Sequence, residues 1–329
     1  MKYKKYTRLN NEALPAIGFG CWSIGGEWNN IEDSKSIRAI HTALDLGVNF
    51  FDTAPVYGKG HSETVLGKAL KGSDRSKLFI ASKCGLVWGE DLHVDVNLTR
   101  ESLLKEIDRS LTRLGVDYLD VWQCHWPDKD TDLKETIEAM EEIKEMGKIR
   151  YIGLSNYSLE QLKYADSCGE VASFQGLYNM FEHNPDTYHG IPLTYKTKDE
   201  ILPYCRENGL MYLPYSPLFQ GLLTGSFKAE GNFDENDKRS ENPKLLGETL
   251  LSYLKIVDDL KVFAKEIDRP LSQITINWLV AQKEVGPIIA GLDHEKYAKD
   301  TVASLEWELT AEMQQQIAEI LGKYDLDKL

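Results

Sequence analysis

The feature that most constrains the fold is an alternation. Eight short apolar or β-branched runs, at 17–20, 48–52, 78–83, 118–124, 149–155, 173–175, 210–215 and 287–290, are separated by stretches with helical periodicity. Between 100 and 114, Leu104, Ile107, Leu111 and Leu114 recur at spacings of three and four, and Leu133, Ile137, Met140 and Ile143 repeat the pattern further on. One apolar face per helix is what a helix lying on a sheet requires. Gly115 and Gly147 stand where a left-handed residue ends a helix, and Ser158 with Gln161 three residues later forms a capping box.

Strands that alternate with helices pair in parallel through right-handed crossovers, and eight such units close into a (β/α)8 barrel of about 250 residues. The chain has 329. Most of the surplus falls between 216 and 267, where a loop rich in Gly, Asn, Asp and Lys precedes an extra helix over 245–267; Pro270 opens another helix, and a last one starts near Thr310. No linker divides the chain, so one barrel domain over 1–329 is expected. The competing doubly wound dinucleotide fold needs a glycine fingerprint after its first strand. Here Gly18-Phe19-Gly20-Cys21-Trp22-Ser23 carries Ser at the third glycine position, and eight units outweigh a lone G-x-G.

The charge balance narrows the partners. With 38 Lys+Arg against 52 Asp+Glu the net charge is -14, and no basic cluster reverses it locally. Such a surface repels a phosphate backbone, so nucleic acid is excluded as a partner. No run of 18 apolar residues exists to span a membrane, and 7–15 lacks the apolar stretch of a signal peptide. Five cysteines, odd in number and without a C-x-x-C pair, read as thiols in a reducing compartment. A cytoplasmic protein with no metal site is expected, as a monomer or weak homo-oligomer.

In a barrel of this kind the active site lies at the C-terminal ends of the strands. Asp52 ends the second run and leads into Thr53-Ala54-Pro55-Val56-Tyr57-Gly58; Lys83 ends the third; His125 ends the fourth. Singly, an Asp there caps a loop, a Lys is solvated and a His is a structural mouth residue. Together on three consecutive strand ends they form a proton-donating set. A free tyrosine titrates near pH 10, and lowering that by about two units takes about 2.7 kcal/mol. An ammonium about 4 Å away supplies up to about 4 kcal/mol at an effective dielectric near 20, so one lysine suffices. Asp52 would fix Lys83, and His125 would orient a carbonyl or complete a proton relay.

The segments Phe51-Asp52-Thr53-Ala54-Pro55-Val56-Tyr57-Gly58, Gly147 through Tyr157, and Gly221-Leu222-Leu223-Thr224-Gly225 resemble the aldo-keto reductases, with nearly the whole chain covered. It looks closest to the bacterial branch with inositol-catabolism and general-stress reductases. The resemblance implies Tyr57 as proton donor, Lys83 and Asp52 as its activators and His125 as the carbonyl-orienting residue. It implies that Ser155, Asn156 and Gln175 hold the nicotinamide carboxamide, that Tyr215 stacks on the nicotinamide, and that Ser216, Leu218, Gln220, Gly221 and Leu223 belong to a loop covering the pyrophosphate. Gly291, Asp293, Tyr297 and Asp300 fall in the segment that meets the adenosine end.

The chain departs from the family at several points: Phe219-Gln220 replaces a small residue followed by Arg, Ser226 replaces a common Lys, and no basic pair follows the last strand. NADPH is the cofactor the resemblance implies. Asp293, a carboxylate where a cation usually meets the 2'-phosphate, favours NADH or dual use. Trp22 and Trp126 are candidate substrate-binding residues, with Trp28 and Trp88 equally suited to loop packing.

The expected activity is reversible NAD(P)H-dependent reduction of an aldehyde or ketone, sugar-like or small. The alternative is a cofactor-sensing regulatory subunit on the same fold, which turnover would distinguish. A glycoside hydrolase needs two carboxylates flanking a cleft, and Asp52 has no acidic partner. The 182–195 loop is longer than the branch leads one to expect, and the acidic stretch 230–241 reads as a loop whose position beside the cofactor loop permits a lid role.

Overall fold

The computed structural model describes residues 1–26, 32–230, 233, 237–326 and 329. Trp28 lies outside them, as does much of the 230–241 stretch. Eight parallel strands form the centre: β1 (Ile17–Gly20), β2 (Phe50–Asp52), β3 (Phe79–Cys84), β4 (Leu119–Cys124), β5 (Ile149–Ser155), β6 (Val171–Leu177), β7 (Met211–Tyr215) and β8 (Ile288–Gly291). They neighbour one another in the order β7-β6-β5-β4-β3-β2-β1-β8. The circle closes where Gly286 N–H donates to the Tyr212 carbonyl at 2.7 Å and Tyr212 bridges to Val285 in parallel. The chain folds as the expected (β/α)8 barrel.

Two strands differ from their apolar runs by more than one residue at an end. The run at 48–52 narrows to β2 because the N–H groups of Gly47 and Val48 still bond back to Leu44 and Ala43 at the end of the preceding helix. The run at 173–175 lengthens to β6 because both neighbours pair along its length. The helices follow their sequence punctuation. Arg100–Leu114 is capped by Thr99 and ends on left-handed Gly115, and Leu159–Cys168 starts with the capping box of Ser158 and Gln161.

Alternation along the strands sorts the core. Phe19, Phe51, Cys84, Trp122, Cys124, Ile152 and Phe174 belong to the layer between sheet and helices. Phe50, Phe79, Val121, Met211 and Leu213 belong to the barrel interior, together with Tyr6, Leu9 and Leu14 from the N-terminal segment. That segment contains a short hairpin, Tyr3–Lys5 with Ala13–Pro15, which the apolar pattern did not announce. With one end of the interior closed by apolar side chains, the polar inward residues are left to the other.

A second cluster, built on Gly247–Glu266, Leu271–Val280 and Ala311–Leu321, packs beneath the loop after β7 through Phe219, Leu222 and Leu223. All five cysteines are free thiols. Among the described residues, no helix is long and apolar enough to cross a membrane.

Candidate active site

Asp52 and Lys83 meet at the carboxyl end of β2 and β3, both buried, with Lys83 Nζ donating to Asp52 Oδ1 at 2.5 Å and to the Thr53 carbonyl at 3.0 Å. A buried ion pair needs its remaining acceptors satisfied. Here the side-chain amides of Gln123 and Gln175 both donate to Asp52 Oδ2, at 3.1 and 2.8 Å. Gln123 was not singled out from the sequence. Its signal was the alternation itself: it lies two residues before His125 and in register with Lys83 on β3. Gly153 makes room for it, since a Cβ there would fall 2.7 Å from Gln123 Cγ and 2.4 Å from Ser173 Oγ.

Tyr57 hangs over this pair. The Lys83 ammonium lies 5.0 Å from the centre of its ring. The turn carrying Tyr57 is pressed against the loop after β1, where a Cβ on Gly58 would sit 2.0 Å from the Gly25 carbonyl; Gly58 also has φ +60. Ser62 Oγ fastens the same turn by donating to the Cys21 carbonyl at 2.7 Å. His125 meets Tyr57 edge-on, 5.8 Å between ring centres. Burial pulls the His125 pKa well below its ordinary value and the Lys83 charge pushes it further down, so the imidazole is neutral.

The ring of Tyr215 is held by its hydroxyl, which donates to Asn156 Oδ1 at 2.9 Å. Burial raises the Tyr215 pKa well above the ordinary tyrosine value and keeps that donor protonated. Asn156, in a left-handed conformation, also accepts from Tyr195 and donates to the His125 carbonyl and to Ser155 Oγ. Its amide is therefore spent inside the protein, and a carboxamide ligand would have to exchange with Ser155. Gln175 uses its NH2 on Asp52 and Gln123, which leaves its carbonyl oxygen to accept from an incoming amide.

These residues open into one cavity of about 960 Å³, at the upper end of the range for cofactor sites. Asp52, Tyr57, His125, Ser155, Asn156, Gln175 and Tyr215 line it, as do Trp22 and Trp126. Lys83 stays behind Tyr57 and Asp52, off the cavity wall. From the loop after β7, Ser216, Leu218, Gln220 and Gly221 reach the cavity; Leu223 does not, because its side chain is buried in the second cluster. Gly291, Asp293, Tyr297 and Asp300 line it beyond β8, with the Asp300 carboxylate accepting from Ser272 and Gln273. Trp88 sits in a small hairpin, Leu86–Trp88 with Val94–Val96, off the cavity wall.

A cation that the sequence reading missed also lines the cavity. Arg239 is braced by buried Asp237, its Nε 2.9 Å from Oδ1, and stands beside Gly221. It lies within the stretch read as acidic, so net charge concealed it. Burial raises the Asp293 pKa, while Ser23, Arg239 and His294 nearby draw it down.

A family model described as the aldo/keto reductase family matches residues 16–322. The chain belongs to that family. The reductase is 33% identical over 322 residues to the aldo-keto reductase YhdN of Bacillus subtilis, spanning 96% of this chain and 93% of that protein. It is 30% identical to an NADH-specific methylglyoxal reductase of Escherichia coli, over 94% of this chain and 96% of that one. Among solved structures, the glycerol dehydrogenase of Gluconobacter oxydans superposes with a TM-score of 0.85 at 31% identity, covering 98% of this chain and 95% of that one. The reductase is accordingly an NAD(P)H-dependent oxidoreductase acting on carbonyl compounds.

Proposed function

We propose that Tyr57 is the proton donor for reduction of a small aldehyde or ketone, sugar-like compounds included. The observation that carries this is the buried Lys83–Asp52 pair beneath the Tyr57 ring, with a neutral imidazole edge-on beside it. A carbonyl oxygen that accepts from Tyr57 and His125 gains charge as its carbon is reduced, and the Lys83 ammonium favours the phenolate left behind. Asp52 holds that ammonium in place, and Gln123 and Gln175 hold Asp52. The nicotinamide dinucleotide supplies the hydride when bound.

The cavity fits such a dinucleotide by its donor set. Ser155, Asn156 and Gln175 would meet the carboxamide, and Tyr215 offers its ring to the nicotinamide. The backbone of 216–221 and the Arg239 guanidinium would meet the pyrophosphate. Gly291, Asp293, Tyr297 and Asp300 would receive the adenosine end. A half-buried carboxylate at Asp293 favours the free 2'-hydroxyl of NADH over a 2'-phosphate, with His294 and Lys296 on the cavity wall leaving room for dual use. Trp22 and Trp126 would flank the substrate. A reducing, cytoplasmic setting suits the free thiols.

The test is Tyr57→Phe, assayed with a panel of small aldehydes, inosose-like ketones and sugars and both reduced cofactors. Reduction should vanish while cofactor affinity, read by fluorescence, stays nearly unchanged, because the hydroxyl acts in the transition state. Retention of more than about 5% of kcat removes Tyr57 from the role.

A further inference from the structure

The segment at 182–195, longer than its branch of the family would suggest, folds into a hairpin. Thr187–Tyr188 pairs antiparallel with Ile191–Pro192, leaving His189 and Gly190 as a two-residue turn in which both have positive φ, 51 and 76. That is the turn geometry whose twist matches a hairpin. The hairpin projects rings towards the mouth. Tyr188 lies 5.0 Å from Tyr215 and 6.4 Å from Trp22, and His189 lies 5.8 Å from Trp22, which in turn lies 6.4 Å from Tyr57. The wall therefore runs from the proposed nicotinamide platform to the proposed proton donor.

Its anchorage is specific. Lys244 donates to the Thr187 carbonyl at 3.1 Å and pairs with Glu182 at 2.7 Å, fixing the base. A side chain from the loop after β7 ties down the tip. The Gln220 amide nitrogen contacts His189 Nε2 closely and the Tyr188 hydroxyl at 3.4 Å, while Gln220 Oε1 accepts from Asn242 at 3.1 Å. Gln220 is buried and left-handed, with φ +53, in the loop after β7, and Arg239 Nη1 lies 3.5 Å from its carbonyl oxygen. A buried amide with donors and acceptor all directed at neighbouring segments is a joint between them.

We propose that the 187–192 hairpin is the substrate-specificity element of this reductase and that Gln220 is the positioning residue tying it to the cofactor cover. This rests on the reading that the dinucleotide lies under 216–221. A carbonyl compound of two or three carbons reaches Tyr57 and His125 without touching the hairpin. One with a longer or ring-bearing tail packs on Tyr188 and Trp22. Because Tyr188 also abuts Tyr215, loosening the tip disturbs both the far end of the substrate and the cover over the cofactor.

The test uses His189→Asn, Gln220→Ala and the double variant in the full-length protein. Asn-Gly is the most favoured sequence for this turn, so His189→Asn keeps the hairpin while removing the imidazole. Dissociation of NADH and of NADPH is followed by stopped-flow fluorescence, and KM is compared for a three-carbon aldehyde and an aromatic one. Each single variant should speed cofactor dissociation about threefold or more and raise KM for the aromatic aldehyde more than for the three-carbon one, and the double variant should be no faster than the faster single, since the two residues share one contact. Multiplying effects in the double variant, equal KM changes for both aldehydes, or unchanged dissociation overturn the inference. Should Gln220→Ala not fold, His189→Asn decides by its dissociation rate and its KM split. A wild-type protein that binds neither nucleotide overturns the underlying reading, which a wild type with normal turnover and uncoupled variants does not.

Discussion

Replacing Lys83 with Met tests how much of the proton transfer depends on one buried charge. At 5.0 Å from the Tyr57 ring centre, the ammonium favours a phenolate by about 3 kcal/mol at an effective dielectric near 20. Asp52, 2.5 Å behind it, cancels part of that field. A net loss of about 1.5 to 3 kcal/mol lowers kcat by about 10- to 150-fold. Stability changes too, because Asp52 stays buried beside the two glutamine amides without its counter-charge, and breaking a buried pair costs about 3–5 kcal/mol. The Asp52→Asn/Lys83→Met double variant removes both charges and should recover most of the stability without the activity. The assay is single-turnover oxidation of the reduced cofactor across a pH series, with thermal melts alongside. A double variant that folds, retains kcat within about threefold and keeps the alkaline limb of its profile unmoved would refute the electrostatic account.

Three further outcomes follow from the geometry. Asp293→Arg should raise kcat/KM for NADPH at least about tenfold relative to NADH, and a wild-type preference for NADPH of about a hundredfold would contradict the reading of Asp293. Gly58→Ala, whose Cβ would meet the Gly25 carbonyl at 2.0 Å, should cost about 2 kcal/mol or more in denaturant unfolding and lower kcat by shifting Tyr57; a neutral melt would show that the two loops are not in contact. Burial pushes the Glu106 carboxyl up to about 7 from its ordinary 4.5, so the folded state binds its proton more tightly than the unfolded chain. Its stabilising contribution is complete below about pH 4.5 and lost as pH rises through about 7. Glu106→Gln should therefore raise Tm relative to wild type at pH 8 more than at pH 5, and equal shifts at the two pH values would refute this.

How much was legible depends on how far apart in the chain the cooperating residues lie. Barrel strands follow one another in space nearly as in sequence, so the apolar runs announced all eight, and Asp52, Lys83 and His125 could be grouped merely by standing at consecutive strand ends. The same alternation would have exposed Gln123, had the residue two before His125 been asked which way it faces. The hairpin of 187–192 gave no such signal. Its strands are two residues each, too short for a period, and His-Gly is a poor advertisement for the turn it makes.

Arg239 and Gln220 were obscured for another reason. Composition marked 230–241 as acidic, yet buried Asp237 spends its charge on orienting one guanidinium, and Arg239, the described residue of that stretch on the cavity wall, carries the opposite sign to the stretch as a whole. Gln220 replaces an Arg common in the family, and the role proposed for it rests on His189, 31 residues earlier, and Asn242, 22 later, converging on it. Chain order supplies the residues that do chemistry at a strand end, because the sheet holds them there. The residues proposed to set specificity are held by side-chain contacts between loops, and those contacts have no period for a sequence to display.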